Sequence, residues 1–269
     1  MKLIVNGCAG RMGQALTKLI LADETLELVG GLEPTGSEAL GQDLGTLAGQ
    51  AACGIIATDD ALDAMRQADG VIDFTVPEAS VQLASLAAQA RNVHIIGTTG
   101  FNPEQEAQIE AAARHAKIVK SGNMSLGVNL LAGLVRQAAA ALDEDWDIEV
   151  LDMHHRHKID APSGTALLLA GAAAEGREVA LDKVIQSGRD GITGARNPGD
   201  IGIAALRGGS VVGDHEIILA GENEQLRLGH RAETRDIFAR GALKAAIWAH
   251  SQAEGLYDMQ HVLGLKDPK

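Results

Sequence analysis

Within five positions of the stretch HHRHKIDAPSGTA, residues 154–166, the chain places three histidines, an arginine and a lysine. Three chemistries compete for such a cluster. As a metal site it would use His154, His155 and His157, but these lack the helical H-E-x-x-H spacing and have no cysteine nearby. As a hydrated basic loop it would need no ligand, yet an acidic chain that gathers so much positive charge has a reason to want an anion there. As an anion grip it has the right parts in order. Pro162 pre-sets the backbone, and Ser163, Gly164 and Thr165 open a helix whose first N–H groups face whatever lies in front. Lys158 would add a point charge and Thr165 a hydroxyl, leaving a histidine free to move a proton near neutral pH. A straight strand sends His154 and His155 to opposite faces, so both can serve one site only if the chain bends between them.

A second candidate lies at the N-terminus. KLIVNGCAGRMG is a short apolar strand, a tight turn and the start of a helix, with Gly7, Gly10 and Gly13 in a G-x-x-G-x-x-G spacing. That is a displaced form of the dinucleotide-binding G-x-G-x-x-G, with Cys8 standing where the first glycine belongs. Gly7 gives the turn, Gly10 lets a pyrophosphate approach the backbone, and Gly13 allows close helix packing. Glu33 follows Gly13 by 20 residues, at the end of the second strand, where a carboxylate accepts ribose hydroxyls. Pro34 comes next, so no adjacent cation holds a 2′-phosphate, which favours NADH, although Arg11 could reach a phosphate. The turns GTTG at 97–100 and SGNMS at 121–125 also end strands and would line the same crevice.

The elements that must position these residues fall into two patterns. Strands at KLIVNG, LELVGGLE, GVIDF, VHIIG and AKIVK alternate with helices, one starting at Pro77 and one capped by Asn102 with Pro103 and Gln105 in a capping box. This predicts a Rossmann-type parallel sheet over residues 1–124. From 125 to 232 a long Ala/Leu helix, the strand DWDIEVLDMHH, the basic loop and the helix SGTALLLAGAAAE precede a Gly-rich, mobile stretch at 187–200. The runs IGIAALRG, VVGDHEIILAG and EQLRLGHRA then have hairpin spacing, so this α+β domain is expected to carry a mixed, largely antiparallel sheet. Residues 233–269 hold an amphipathic helix, with Ile237, Gly241, Ala245 and Trp248 on one face, that returns to the first sheet. Hinges are expected near Met124 and Ala232.

Composition excludes several partners. The net charge of −13 repels nucleic acid, and three Phe, two Trp and one Tyr offer little to stack bases on. No apolar run approaches the ~20 residues of a membrane span, and MKLIVNG enters structure directly, so a cytoplasmic protein without membrane partners is expected. Cys8 and Cys53 lack CxxC spacing and read as free thiols.

Taken together, GCAGRMG, DFTVPE, GTTGF, HHRHKIDAPSGTA and the closing GLYDMQHVLGL resemble the 4-hydroxy-tetrahydrodipicolinate reductase (dihydrodipicolinate reductase) family nearly end to end. The resemblance implies NADH- or NADPH-dependent reduction of a cyclic dicarboxylate on the diaminopimelate route to lysine, by a homotetramer built through the second domain. It implies cofactor contacts at Gly7, Cys8, Ala9, Gly10, Arg11 and Met12, at Glu33, at Gly97, Thr98 and Thr99, and at Ser121, Gly122, Asn123 and Met124. It assigns proton transfer to His154 and Lys158, substrate binding to His155, Ser163, Gly164 and Thr165 with Thr99 close by, and no metal. Some members carry a basic residue where Pro34 stands and an arginine where Val76 stands, positions that bear on NADPH.

Overall fold

The computed structural model describes residues 1–267. Two compact units divide the chain: Met1–Ser125 together with the segment from Asp236 onwards, and Leu126–Arg235.

In the first unit the chain runs β1 (Lys2–Asn6), α1 (Arg11–Leu21), β2 (Glu27–Leu32), α2 (Leu44–Leu47), β3 (Ala57–Thr58), α3 (Ala61–Gln67), β4 (Gly70–Asp73), α4 (Pro77–Ala90), β5 (Val93–Ile96), α5 (Pro103–Ala112) and β6 (Lys117–Lys120). Its apolar runs are short because these strands are buried on both faces: all four residues of β4 and of β5 are inaccessible. Ile4, Val71, Ile96 and Ile118 pack with Met65, Leu83 and Ile109 from the helices on one side. Each such side chain contributes on the order of 2 kcal/mol of apolar burial. The helix starts follow the sequence signals. Pro77 opens α4, and at α5 the Asn102 side chain accepts from the Gln105 N–H while the Gln105 side chain accepts from the Asn102 N–H, both at 2.9 Å.

The second unit comprises α6 (Leu126–Ala141), β7 (Asp147–His154), α7 (Gly164–Gly176), α8 (Leu181–Val184), β8 (Ile185–Ser187), β9 (Ile201–Arg207), β10 (Gly213–Gly221) and β11 (Glu224–Ala232). Its sheet has the order β11-β10-β7-β9-β8. Strict alternation along β7 turns Ile148, Val150, Asp152 and His154 to the buried face, where Ile148 and Val150 join Ile201, Ile203, Ile217 and Leu219 against Val135 of α6 and Leu169 of α7. The three-strand hairpin series is corrected here: β10 pairs antiparallel with β11 and with β7, but β9 lies parallel to β7, on its other edge. Spacing between apolar runs does not say which edge of a central strand each one takes, and the helical crossover after β7 brings β9 back in the parallel sense. The stretch at 187–200 ties back to β7, with Arg189 and Arg196 both donating to Glu149 and Arg196 also pairing with Asp147.

The chain then returns to the first unit as α9 (Asp236–His250), β12 (Gly255–Tyr257) and α10 (Met259–Val262). Helix α9 packs on α1 and across β4, β5 and β6. Its buried stripe is Ala239, Ala242, Ala245, Ala246 and Ala249, with Ile237 and Trp248 only half-buried at its margin; small side chains let it lie close to the strands. β12 adds an edge to an all-parallel sheet of order β12-β6-β5-β4-β1-β2-β3.

Candidate active site

In the first unit the glycine turn follows β1. Gly7 has φ +69°, a conformation that glycine supplies without strain, and its N–H donates to the Leu32 carbonyl at 2.8 Å. A Cβ on Gly13 would overlap the Gly7 carbonyl oxygen, and one on Gly10 would sit 3.2 Å from it. Gly10 caps α1 without a side-chain acceptor, so no side chain uses the first N–H groups of that helix, an arrangement that suits an anion. Oε1 of Glu33 accepts the Ala9 N–H at 2.7 Å, so the carboxylate just past β2 braces the glycine turn. Cys8 is buried; burial first, then the neighbouring Glu33 carboxylate, pushes its thiol up to about 12.

A cavity of about 600 Å³ opens over this turn, lined by Gly7, Gly10, Glu33, Pro34, Asp59 and Thr75 among others. Its size, its glycines and the uncapped helix fit a dinucleotide. Arg11 is exposed and Met12 half-buried at the start of α1. Nearby, Thr99, Ser121 and Gly122 line a smaller depression, and Gly97 is held so tightly that a Cβ would overlap the Phe74 ring. Two of the expected contacts turn inward. The Thr98 hydroxyl is buried, bonded to the Thr75 N–H and the Ser80 hydroxyl, and the Met124 side chain is in the core. Asn123 caps its own turn, its side chain accepting the Ser125 N–H.

In the second unit the basic loop leaves β7 at His154 and is pinned at both ends. Gly208 N–H donates to the His154 carbonyl, and Arg207 donates to the carbonyls of Asp152 and Asp160. The Ala161–Pro162 peptide is cis. The loop's three histidines do not converge. The His155 ring lies 6.3 Å from that of His157, while His154 turns inward to a T-shaped contact with His215, ring centroids 5.1 Å apart.

Sequence reasoning missed what His154 meets. Nδ1 of His154 lies 2.8 Å from Oδ1 of Asp152, a close contact that is not aligned as a hydrogen bond. Asp152 is wholly buried, and its Oδ2 accepts the Ser163 N–H at 2.8 Å and faces Nη2 of Arg207 at 3.3 Å. His215 Nε2 stands 3.2 Å from the Ser163 hydroxyl and 3.3 Å from Asp152 Oδ1. Two residues earlier on a strand means the same face, so Asp152 was legible from its spacing; His215 and Arg207, more than fifty positions away on β10 and β9, carried no local signal. Burial raises the Asp152 carboxyl, but the Ser163 hydrogen bonds and the two histidines outweigh it and hold it below the usual range. Burial lowers His154, only partly offset by Asp152, and Lys158 and Arg207 lower it further. Burial drives His215 down to about 4, so it is neutral at pH 7.

Asp152, His154 and His215 bring ligand atoms within 4.8 Å of one another and are, among the described residues, the group that could hold a cation. The Arg207 guanidinium already balances Asp152 there. The turn itself suits an anion. Ser163 caps α7, its hydroxyl accepting the Ala166 N–H and its own N–H spent on Asp152, while Gly164 is exposed and a Cβ there would enter open space. Thr165 is half-buried beside it, and Lys158 Nζ holds both oxygens of Asp160 at 2.8 Å.

Residues 1–124 match the family described as dihydrodipicolinate reductase, N-terminus, and residues 127–263 match its C-terminus. The chain is 64% identical over 266 residues to the 4-hydroxy-tetrahydrodipicolinate reductase of Parvibaculum lavamentivorans, covering 98% of each. It is 59% identical over 266 residues to that of Brucella abortus, covering 98% of this chain and 99% of the other. A dipicolinate-bound dihydrodipicolinate reductase from Paenisporosarcina sp. TG-14 shares the fold, with a TM-score of 0.76 at 24% identity over 96% of this chain and 97% of that one. With both of its units matched, the chain belongs to the dihydrodipicolinate reductase family.

Proposed function

We propose that the chain is the reductase its relatives are named for, using NAD(P)H to reduce 4-hydroxy-tetrahydrodipicolinate to tetrahydrodipicolinate in the diaminopimelate route to lysine. The observation that carries this reading is the pairing, over the full chain, of a dinucleotide-type cavity in the first unit with an anion-suited, histidine-flanked helix start in the second. The glycine turn, Glu33, the Gly97–Thr99 turn and the Ser121–Met124 turn would hold the cofactor, which when bound supplies a hydride to the ring. In the balanced reaction one hydroxyl and a hydrogen from the neighbouring ring carbon leave as water, and one hydride and one proton are added to the ring.

The second unit's residues handle charge and proton. Gly164 and Thr165 at the helix start, with Lys158 and His155 of the loop that leads into it, would grip a carboxylate and stabilise the electron density that builds up on the ring. Ser163 would serve the same turn from below, as its cap. His154 would deliver the proton to the ring, with Lys158 as second donor. His154 rests neutral because its folded value is depressed; a bound dicarboxylate adds negative charge beside it and favours the imidazolium that acts as acid.

NADH is the preferred cofactor in this reading. Among the described residues no lysine or arginine lines the cavity at the phosphate turn, whereas Glu33 and Asp59 both do, and Pro34 offers no donor. A 2′-phosphate would meet like charge. A homotetramer is supported by the outer face of the second sheet, which leaves Leu206 about half exposed and Leu151, Met153 and Ile218 only partly covered. No helix among the described residues is long and apolar enough to cross a membrane, and a cytoplasmic location is part of the proposal. The test is loss of reduced-nicotinamide absorbance with enzymatically generated substrate, with NADH and NADPH compared and a chelator present. Turnover with NADH, indifferent to chelator, is the expected result; no oxidation of either cofactor would defeat the reading.

A further inference from the structure

We propose that Asp152 is a positioning residue that fixes the proton-transferring imidazole of His154 and the carboxylate-gripping turn at Ser163 against each other through its two oxygens. The inference rests on the proposed role of His154. Oδ2 faces the turn, accepting the Ser163 N–H at 2.8 Å with Arg207 at 3.3 Å. Oδ1 faces the imidazoles, 2.8 Å from His154 Nδ1 and 3.3 Å from His215 Nε2, with no aligned hydrogen bond to satisfy it. A carboxylate kept only to anchor a helix start has no need of a second oxygen left bare in the interior, where a polar atom without a partner costs on the order of 1–3 kcal/mol. One aimed at a catalytic imidazole does, because such contacts tighten when substrate arrives.

The arrangement selects the ring's tautomer. A carboxylate beside Nδ1 holds the proton there and leaves Nε2 as the nitrogen that exchanges a proton with substrate. Gly213 keeps the Nε2 side clear, since a Cβ there would stand 3.2 Å from that atom. His215 is the spacer. Neutral at pH 7 and bonded to the Ser163 hydroxyl, it supports Oδ1 from the side without adding charge. The charged and titratable groups facing His154 are therefore Asp152, Lys158, Arg207 and the neutral His215, with His230 and Asp214 beyond His215. Of those facing His154, Asp152 alone favours its imidazolium.

Asp152→Asn keeps the size of the side chain and removes the charge. The expected result is a kcat lowered about tenfold to a hundredfold, an alkaline limb of the kcat profile moved to lower pH, and an NADH Kd unchanged, with Asp152→Glu recovering part of kcat and of the limb. Nitrogen NMR of the histidines in the wild-type enzyme should place the neutral His154 proton on Nδ1. A folded Asp152→Asn enzyme with kcat within twofold of wild type and an unmoved limb would overturn the proposal, as would a wild-type His154 protonated on Nε2, a readout that stands even if the variant does not fold. A wild-type enzyme that fails to oxidise NADH with the substrate defeats the parent reading instead, so the two failures are told apart.

Discussion

Each unit buries an aspartate in the last residues of a strand and sets a histidine and a serine of a helix's first turn or cap beside it, yet the two clusters are finished differently. In the first, Asp73 is wholly buried and both oxygens are hydrogen-bonded: Oδ1 accepts from the Asn6 amide, the Thr75 N–H and the Thr75 hydroxyl, and Oδ2 from the Ser80 hydroxyl. His94 stands off at 3.5 Å and is equally buried. In the second, one oxygen of Asp152 is used on Ser163 and the other is left for His154 and His215, and His154 keeps a 9% exposure where His94 has none. Residue type is nearly the same in both. Buried imidazole nitrogens without hydrogen bonds occur in both, at His94 as at His154, so what separates the clusters is the aspartate: Asp73 has both oxygens hydrogen-bonded, Asp152 only one.

The sharpest test of that distinction exchanges a histidine in each cluster. His154→Gln and Lys158→Ala should each lower kcat about a hundredfold or more, the usual scale for a lost acid or base, while the thermal midpoint stays within a degree or two. His94→Gln should do the reverse, holding kcat per folded molecule within a few-fold and lowering the midpoint by several degrees as a buried group loses its fit. Steady-state kinetics beside calorimetry decides it. Near-normal turnover in His154→Gln and Lys158→Ala would remove the catalytic assignment, and a kcat loss in His94→Gln would remove the contrast.

How far the sequence carried this reading differs between the same two regions. The parallel sheet, the Gly7–Gly13 turn, Glu33 at the end of β2 and the caps at Pro77 and Asn102 were all legible, because each depends on residues close in sequence. In the second unit the loop and its helix start were legible, but the parallel placement of β9 was not, since apolar spacing carries no information about which edge a strand joins. The partners of His154 divide the same way. Asp152 lies two positions off on one strand, whereas His215 and Arg207 are brought by pairing of β10 and β9 with β7, which depends on the whole sheet. Short elements such as β3, β8 and β12 have too few residues to show a period.

The histidines also predict that the units answer acid differently. His215 titrates at about 4 in the folded chain against 6.5 ordinarily, so between those values the unfolded chain binds a proton that the folded one refuses. Stability from this group is intact above pH 6.5 and falls as pH drops towards 4, by up to about 3 kcal/mol. His154 and His230, also lowered chiefly by burial, act in the same sense. Asp73 of the first unit is instead depressed: burial raises it, but His94, Ser80 and Thr75 outweigh that, so its stabilisation persists above the ordinary carboxylate range and is lost only below it. The two tryptophans fall one to each unit, Trp146 in the second and Trp248 in the first. Fluorescence of Trp248→Phe and Trp146→Phe variants should therefore show the Trp146 signal changing at the higher pH. Coincident transitions, or the opposite order, would count against it.

Charge sets the two sites in opposition, acidic at Glu33 and Asp59 but balanced in the pairs Lys158–Asp160 and Arg207–Asp152. Placing a cation in the acidic cavity should weaken that opposition where it governs cofactor choice. Pro34→Arg should raise the NADPH-to-NADH ratio of kcat/KM about tenfold, by pairing with the 2′-phosphate, and leave KM for the dicarboxylate unchanged. A ratio that does not move would show that the cavity wall at Pro34 is not where the cofactors are distinguished.

The smallest expected effect compares two glycines at helix starts. Gly13 in α1 is needed by the fold, because a Cβ there overlaps the Gly7 carbonyl oxygen and comes within 2.6 Å of Cys8 Cα. Gly164 in α7 faces nothing, so the fold alone does not ask for glycine, and alanine is the better helix former by about 1 kcal/mol. Gly13→Ala should lower the thermal midpoint and weaken NADH binding together. Gly164→Ala should leave the midpoint unchanged or slightly raised and increase KM for the dicarboxylate a few-fold, as its methyl group takes space meant for a carboxylate. If KM does not change, the open space in front of Gly164 is not where the substrate binds, and the grip must be moved towards Lys158.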